Sequence, residues 1–285
     1  MRYGLTMFAT DVSMDLVELA RAAEERGFES LWLPEHTHIP TSRRTPPPTG
    51  DDELAEEYKR TLDPLVSLAA VAAVTERLRL GTGILLPAQR EPIVTAKAVA
   101  TLDHLSGGRV DLGVGFGWNH DEMENHGVDP GTRREVAREH LLAMQALWAD
   151  DEARFDGAHV GFSSTWSWPK PVQRAGDGRP AVPVLIGGGA GPKLFAHVAE
   201  YAAGWIPIGG AGLGEAVPRL RDAVAAAGRD PDGLRIVPFG SLPDPAKLEH
   251  FERIGVTECV FRLPSAGRDD VLPVLDRYTA FLPGS

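Results

Sequence analysis

The chain has 285 residues, an insertion's length beyond the roughly 250 of a typical (β/α)8 barrel, so one domain over residues 1–285 is expected. With 43% apolar and 24% charged residues it can bury a single core and does not have the composition of a disordered chain. A net charge of −11 argues against broad attraction to nucleic acid or anionic lipid, so an anionic ligand needs a local site.

Met1 leads directly into the alternating segment Tyr3 to Phe8, with neither a basic, apolar leader nor an apolar run of membrane-spanning length. A cytoplasmic protein with no membrane partner is the expectation. The single cysteine, Cys259, lies in the apolar run Cys259-Val260-Phe261 and is expected to be a buried packing thiol.

In chain order, Tyr3 to Met7 reads as a strand and Met14 to Arg26 as a helix, with Ser13 as its N-cap and Gly27 beyond its end. Ser30 to Leu33 is the second strand. The proline-rich stretch Pro40 to Tyr58 forms a long loop, after which Asp63 caps and Pro64 opens the second helix. Strand three, Leu78 to Leu85, precedes the helix Pro92 to Leu105; strand four, Val110 to Val114, precedes the helix Arg133 to Leu147. Residues Arg154 to Gln173 break the rhythm with aromatics, glycines and prolines and predict a hairpin-like excursion on the rim. Val184 to Ile186, Trp205 to Ile208, Leu234 to Val237 and Glu258 to Phe261 complete eight strands, and Val271 to Phe281 is the last helix.

Alternating strands and helices predict a parallel sheet covered by crossover helices, and a count of eight suggests a closed (β/α)8 TIM barrel with an insertion between strands four and five. The alternative, an open doubly wound sheet for a dinucleotide, lacks its glycine-rich first turn: the stretch is Phe8-Ala9-Thr10-Asp11.

Barrel active sites sit where strands end, and five of these ends are unusual. They carry Glu35-His36-Thr37-His38, Gly81-Thr82-Gly83-Ile84, Gly113 to Asn119, Gly187-Gly188-Gly189-Ala190-Gly191-Pro192-Lys193, and Ile208-Gly209-Gly210. Together with LDPLVSLAAVAAVTERLRLGTGILL, KAVATLDHLSGGRVDLGVGFGWN and PVLIGGG, these segments resemble the bacterial luciferase-like monooxygenase superfamily over nearly the whole chain. The resemblance is greatest to its branch of deazaflavin-dependent oxidoreductases. It implies a TIM-barrel redox enzyme that holds coenzyme F420, or alternatively FMN, acts on a small molecule, and forms a homodimer.

Each segment also has its own physics. Gly187, Gly188, Gly189, Ala190 and Gly191 leave backbone N–H groups bare beside the helix opened by Pro192, where an anionic phosphate can dock. The coenzyme's phosphate is expected there, the alternative being a plain glycine turn. Thr82, Gly83 and Ile84 suggest a bulge or a close backbone approach to a ligand. The resemblance implies a non-prolyl cis peptide at Gly83–Ile84 backing the ring system. Gly115 and Gly117 allow a flat heterocycle to approach strand four, with Trp118 and Asn119 facing substrate.

Related enzymes place a carboxylate or histidine beside the redox ring at the second strand end, which here carries Glu35 and His36. His36 is the best proton carrier on offer, alone or with Glu35 acting through it, unless it is a hydrogen-bonded structural residue. His38, His120, Asp121 and Glu122 stand behind it, while Asp103 and Arg109 are expected to form a structural ion pair. His36 and His38 also admit a metal-dependent hydrolase, but strands five, six and eight end without a histidine or aspartate to complete the ligand set, so no metal is expected. The Pro40 to Tyr58 loop, Trp166 and Trp168 are expected to wall an apolar substrate pocket.

Overall fold

The computed structural model describes residues 1–46 and 53–283. In chain order the elements are β1 (Arg2–Thr6), α1 (Leu16–Glu25), β2 (Ser30–Leu33), α2 (Pro64–Ala72), β3 (Arg79–Thr82), α3 (Pro92–Ser106), β4 (Val110–Val114), α4 (His120–Asn125) and α5 (Arg133–Ala149). They continue with β5 (Ala153–Asp156), β6 (Gly161–Thr165), β7 (Val184–Gly187), α6 (Pro192–Tyr201), β8 (Gly204–Ile206), α7 (Leu213–Ala226), β9 (Arg235–Ile236), β10 (Phe239–Ser241), α8 (Pro245–Arg253), β11 (Glu258–Arg262) and α9 (Arg268–Tyr278).

The main sheet runs β10-β11-β1-β2-β3-β4-β7-β8-β9, with every neighbouring pair parallel. Its two ends are one stretch of chain. β9 pairs with β8, β10 pairs with β11, and only Val237 and Pro238 separate them. The ring therefore closes through a broken stave, and the architecture is the expected eight-stave (β/α)8 barrel. Proline lacks the N–H a continuous ladder needs, which accounts for the break.

Local sequence explains most element boundaries. Asp63 accepts from the Val66 N–H at 3.0 Å ahead of Pro64, and Asp244 accepts from Lys247 at 2.8 Å ahead of Pro245. Gly107 ends α3 in the left-handed region at φ 68°. The cap of α1 is Asp15, not Ser13: the Asp15 carboxylate accepts from the Glu18 N–H at 2.9 Å, while the Ser13 hydroxyl accepts from Thr10 N at 2.9 Å inside the preceding turn. β3 is shorter than its apolar run, and its pairing resumes beyond the Gly83–Ile84 peptide at Leu85, which bridges Val114. Helix α4 lies outside the predicted elements, although Asn119 followed by Asp121 and Glu122 is an N-cap with an acidic first turn.

The excursion between β4 and β7 is an antiparallel hairpin of β5 and β6. It lies on the outer flank of the barrel: the Ala158 and His159 N–H groups donate to Glu139 of α5, and Lys97 of α3 donates to the Trp168 carbonyl. Trp166 and Trp168 are solvent-exposed there and do not line the cavity at the strand ends. Asp103 and Arg109 are both structural, but they are not paired with each other. Asp103 accepts from the Val172 N–H at 2.7 Å and from the Gln173 amide at 2.7 Å, while Arg109 donates to the carbonyls of Ala72, Thr75 and Leu78. Both therefore satisfy backbone groups left open where helix α2 and the hairpin end.

Two apolar clusters fall on opposite faces of the sheet, as period-two alternation requires. Leu31, Ile186, Trp205, Ile236 and Phe261 face the helices, while their neighbours Trp32, Leu185, Ile206, Val237 and Val260 pack together inside the barrel. Below that inner cluster lies an ionic layer. Asp111 accepts from Arg79 at 2.7 Å and from Arg235 at 2.5 Å; Glu258 accepts from Arg2 at 2.8 Å and from Arg235 at 3.3 Å. Cys259 is buried on the helix-facing side, and burial pushes its thiol up to about 12. Among the described residues, no helix is long and apolar enough to cross a membrane.

Desolvation opposes ionisation of Asp111, but hydrogen bonds and charge from Arg79 and Arg235 outweigh it and hold the carboxyl at about 2. A folded-state value below the unfolded one means that the ionised form stabilises the fold, fully above about pH 4 and progressively less as pH falls toward 2. Asp111→Asn should cost about 3–5 kcal/mol at neutral pH, because two arginines lose their counter-charge. Urea titrations should show the gap to wild type narrowing between pH 7 and pH 3; a pH-independent gap would contradict this role.

Candidate active site

A cavity of about 560 Å³ opens at the C-terminal ends of the strands. Every stave contributes to it, through Thr6, Pro34, Gly83, Phe116, Gly187, Ile208, Phe239 and Arg262. Glycines shape its floor. A Cβ on Gly83 would stand 2.3 Å from Phe239 Cζ, and one on Gly115 would stand 1.8 Å from Ile84 Cδ1. The Gly83–Ile84 peptide is cis, as the resemblance implied, and both residues line the cavity.

His36 lines the wall formed after β2. Its Nδ1 lies 2.8 Å from Oε2 of Glu122, a fully buried carboxylate at the start of α4. A carboxylate accepts only, so Nδ1 carries the hydrogen, and Nε2, which has no hydrogen-bond partner among the described residues, is the nitrogen left to exchange a proton. The imidazole forms a three-ring cluster with two cavity-lining aromatics, Tyr58 at 5.4 Å and Trp118 at 5.8 Å between ring centroids, which are themselves 6.2 Å apart. Asn119 caps α4 through the Glu122 N–H at 3.4 Å, and the Thr37 N–H donates to the other Glu122 oxygen at 3.3 Å. The carboxylate is thereby held on both sides.

Glu35 also lines the cavity, but it does not act on His36 directly: its oxygens accept from Arg90 Nε at 2.5 Å and from the Leu86 N–H at 2.6 Å. Burial pushes its carboxyl up, with the Arg90 guanidinium and the Leu86 amide pulling the other way. The carboxylate on His36 is therefore Glu122, a second-line candidate from sequence.

The other candidates divide. Gly117, Trp118, Gly187 and Gly188 line the cavity, with Gly117 at φ 74° and Gly188 at φ 144°, conformations that favour glycine. Thr82 is buried beneath it, donating to the Gly113 carbonyl at 2.6 Å, and Gly115 serves to seat Ile84. Gly189, Ala190 and Gly191 lie outside the lining, leading into α6. Asn119 is a buried cap, not a wall. Asp121 pairs with Arg44, the His120 N–H donates to Thr45, and His38 bonds Thr37 and Asn125. Among the described residues, no group of three or more potential metal ligands comes together.

Sequence reasoning missed Arg133, Arg134 and Phe239, all of which line the cavity, and did not single out Tyr58 within its loop. The two arginines had a signal: adjacent cations at the positive end of a helix are disfavoured unless something answers them. Tyr58 comes from the long loop after β2, of which residues 47–52 lie outside the described residues. Its ring packs on Phe8 at 4.7 Å, and it alone of the described residues of that loop lines the cavity.

The family model for luciferase-like monooxygenases matches residues 7–242. An uncharacterized protein of Mycobacterium tuberculosis is 48% identical over 286 residues, covering 99% of both chains. An F420-dependent glucose-6-phosphate dehydrogenase of Kineococcus radiotolerans is 30% identical over 229 residues, which is 75% of this chain and 59% of that one. Among solved structures, an F420-dependent secondary alcohol dehydrogenase in complex with an F420–acetone adduct has the same fold, with a TM-score of 0.78 at 19% identity and 99% coverage of each chain. The glycine-floored cavity at the barrel mouth and the match over most of its length place this chain in the luciferase-like monooxygenase family, and it is an oxidoreductase.

Proposed function

We propose that the protein is a coenzyme F420-dependent oxidoreductase that transfers hydride between the deazaflavin and a small organic substrate. The observation that carries this reading is the His36–Glu122 pair on a cavity whose floor is glycine backbone. The relatives named for F420 support it, and the cavity residues fit the group: Gly83 and Gly117 leave flat backbone for a ring, and Gly187 and Gly188 line the cavity on the loop that leads into the N-terminus of α6, where a phosphate is favoured. When bound, F420 supplies or accepts hydride, whereas FMN, the alternative, also supports reaction with oxygen.

The chain's own residues do the rest. Glu122 fixes the imidazole tautomer, so that Nε2 of His36 gives or takes the proton that accompanies hydride. Tyr58 and Trp118 pack edge-on to each other beside that ring and shield it from water on that side. The substrate binds among Met7, Phe8, Tyr58 and Trp118, apolar surfaces suited to a small organic molecule.

Purification from a deazaflavin-producing host should give protein with the F420 absorbance band. Bound FMN with substrate-dependent oxygen consumption would replace this reading with the monooxygenase one. His36→Ala should retain coenzyme affinity and lose turnover by about 10² to 10⁴-fold on an accepted alcohol, ketone or activated alkene. A loss confined to coenzyme affinity would make His36 a positioning residue instead. Gly188→Val, forced into a backbone conformation that suits glycine, should weaken F420 binding by blocking amide approach; unchanged affinity in a folded variant would remove the phosphate from that loop.

A further inference from the structure

Strand register puts one arginine inside the barrel mouth. Along β11, Cys259 and Phe261 pack toward the helices and Val260 toward the interior, so the next interior position is Arg262. Across the ladder it pairs with Thr6 of β1, and both line the cavity. The layer beneath is Val260 and Trp32, apolar groups that give a guanidinium no partner. In the order β11-β1-β2-β3-β4 this strand stands four staves from β4 in a ring of eight. Arg262 therefore lies across the cavity from Arg133 and Arg134, which follow β4, and on the side of Phe8, Tyr58 and Leu263.

The partner of Arg262 is Glu57, and the pairing is weak by the standard of this protein's other arginines. Arg79 holds Asp111 through two nitrogens at 2.7 Å each, and Arg235 holds the same fully buried carboxylate at 2.5 and 3.0 Å. Arg262 offers a single Nη2 at 3.3 Å, and its side chain is 54% exposed. Among the described residues that side chain has no other hydrogen-bond or ion-pair partner. An ion pair that is long, single and open to water contributes little, so exchanging Glu57 for another carboxylate costs little. A planar guanidinium with most of its donors uncommitted takes a carboxylate through two parallel bonds, which Glu57 does not form. Glu57 precedes Tyr58, whose ring is 5.4 Å from the His36 imidazole and 4.7 Å from Phe8. A molecule whose apolar body lies against Phe8 and Tyr58 thus extends from the His36 side toward Arg262 within one cavity.

We infer that Arg262 is a carboxylate-binding subsite for the substrate, with Glu57 as the internal carboxylate it exchanges. The substrate class is then an alcohol, ketone or activated alkene that carries a carboxylate on an apolar body. Assignment of that carboxylate to the substrate rests on the reading of His36 as the proton carrier; carboxylate binding at Arg262 does not. The alternative source is a carboxylate of the coenzyme, and the test separates the two.

Benzoate, phenylacetate and 3-phenylpropanoate, each against its amide, are titrated calorimetrically into wild type, Arg262→Gln, Arg262→Lys and Glu57→Gln, with and without coenzyme F420. Wild type should bind at least one carboxylate about 10- to 100-fold more tightly than its amide. That preference should vanish in Arg262→Gln, survive in part in Arg262→Lys, and grow in Glu57→Gln, where no internal carboxylate competes. A pair that only tethered the Tyr58 segment would make the two Gln variants alike. Should Arg262→Gln not fold, the gain in Glu57→Gln and the intermediate Arg262→Lys decide the subsite. Carboxylate binding that persists beside F420, with F420 affinity unchanged in Arg262→Gln, assigns the subsite to the substrate. Mutual exclusion, with weakened F420 binding in that variant, assigns the carboxylate to the coenzyme and overturns the substrate claim. Failure of wild type to bind any deazaflavin or flavin would sink the coenzyme reading and leave the carboxylate preference to decide the subsite. No preference for any of the three carboxylates in wild type, or an equal preference in Arg262→Gln, overturns the subsite.

Discussion

The structure depends on making room for one indole. Trp32 is fully buried inside the barrel, where an eight-stranded ring leaves space only for packed side-chain layers. A Cβ on Gly81 would lie 2.1 Å from the Trp32 ring, and one on Gly113 would lie 2.0 Å from the Thr82 carbonyl and 3.2 Å from Trp32. The indole N–H is fixed from below by Ser30 at 2.8 Å and Glu258 at 3.1 Å. Trp32 thus fills the middle of the barrel from a single strand, edge-on to Phe239 at 6.2 Å, and the space above it is left to the cavity.

Charge is sorted along the same axis. At the closed end, Asp111 and Glu258 are matched by Arg2, Arg79 and Arg235, carried on β1, β3 and β9, so the ionic layer ties separate staves together. At the open end, Glu35 is met by Arg90, while Arg133 and Arg134 line the cavity and meet no carboxylate among the described residues. For a chain of net charge −11, this is a local reversal of sign, the condition under which an acidic protein can attract an anion to one place.

The His36–Glu122 pairing depends on helix α4, which brings Glu122 back across the end of β4 to His36, 86 positions away in sequence. Asn119 caps that helix and the Thr37 amide clamps the carboxylate, so the imidazole is held from its Nδ1 side by groups that do not reach the cavity centre. Such support leaves the other ring nitrogen without a hydrogen-bond partner among the described residues, beside the rings of Tyr58 and Trp118.

Strand and helix order, the eight-unit count, the Asp63-Pro64 helix start and the glycine-rich strand ends were legible in the sequence, because period, caps and turn chemistry are local properties. So was the position of His36 at a strand end. The partner of His36 was not: Glu35 and Glu122 are both carboxylates near it in different senses, and only the fold shows that Arg90 and the Leu86 amide occupy Glu35 while Glu122 reaches the ring. Gly115 reads as a ligand-facing glycine, yet packing against Ile84 uses it. Trp166 and Trp168 have the composition of a pocket wall but sit on a hairpin that the chain lays along α3 and α5. Sequence determines which groups are available at each strand end; which of them meet is settled by closure of the ring, since hydrogen bonding and close packing act over a few ångströms between segments far apart in the chain.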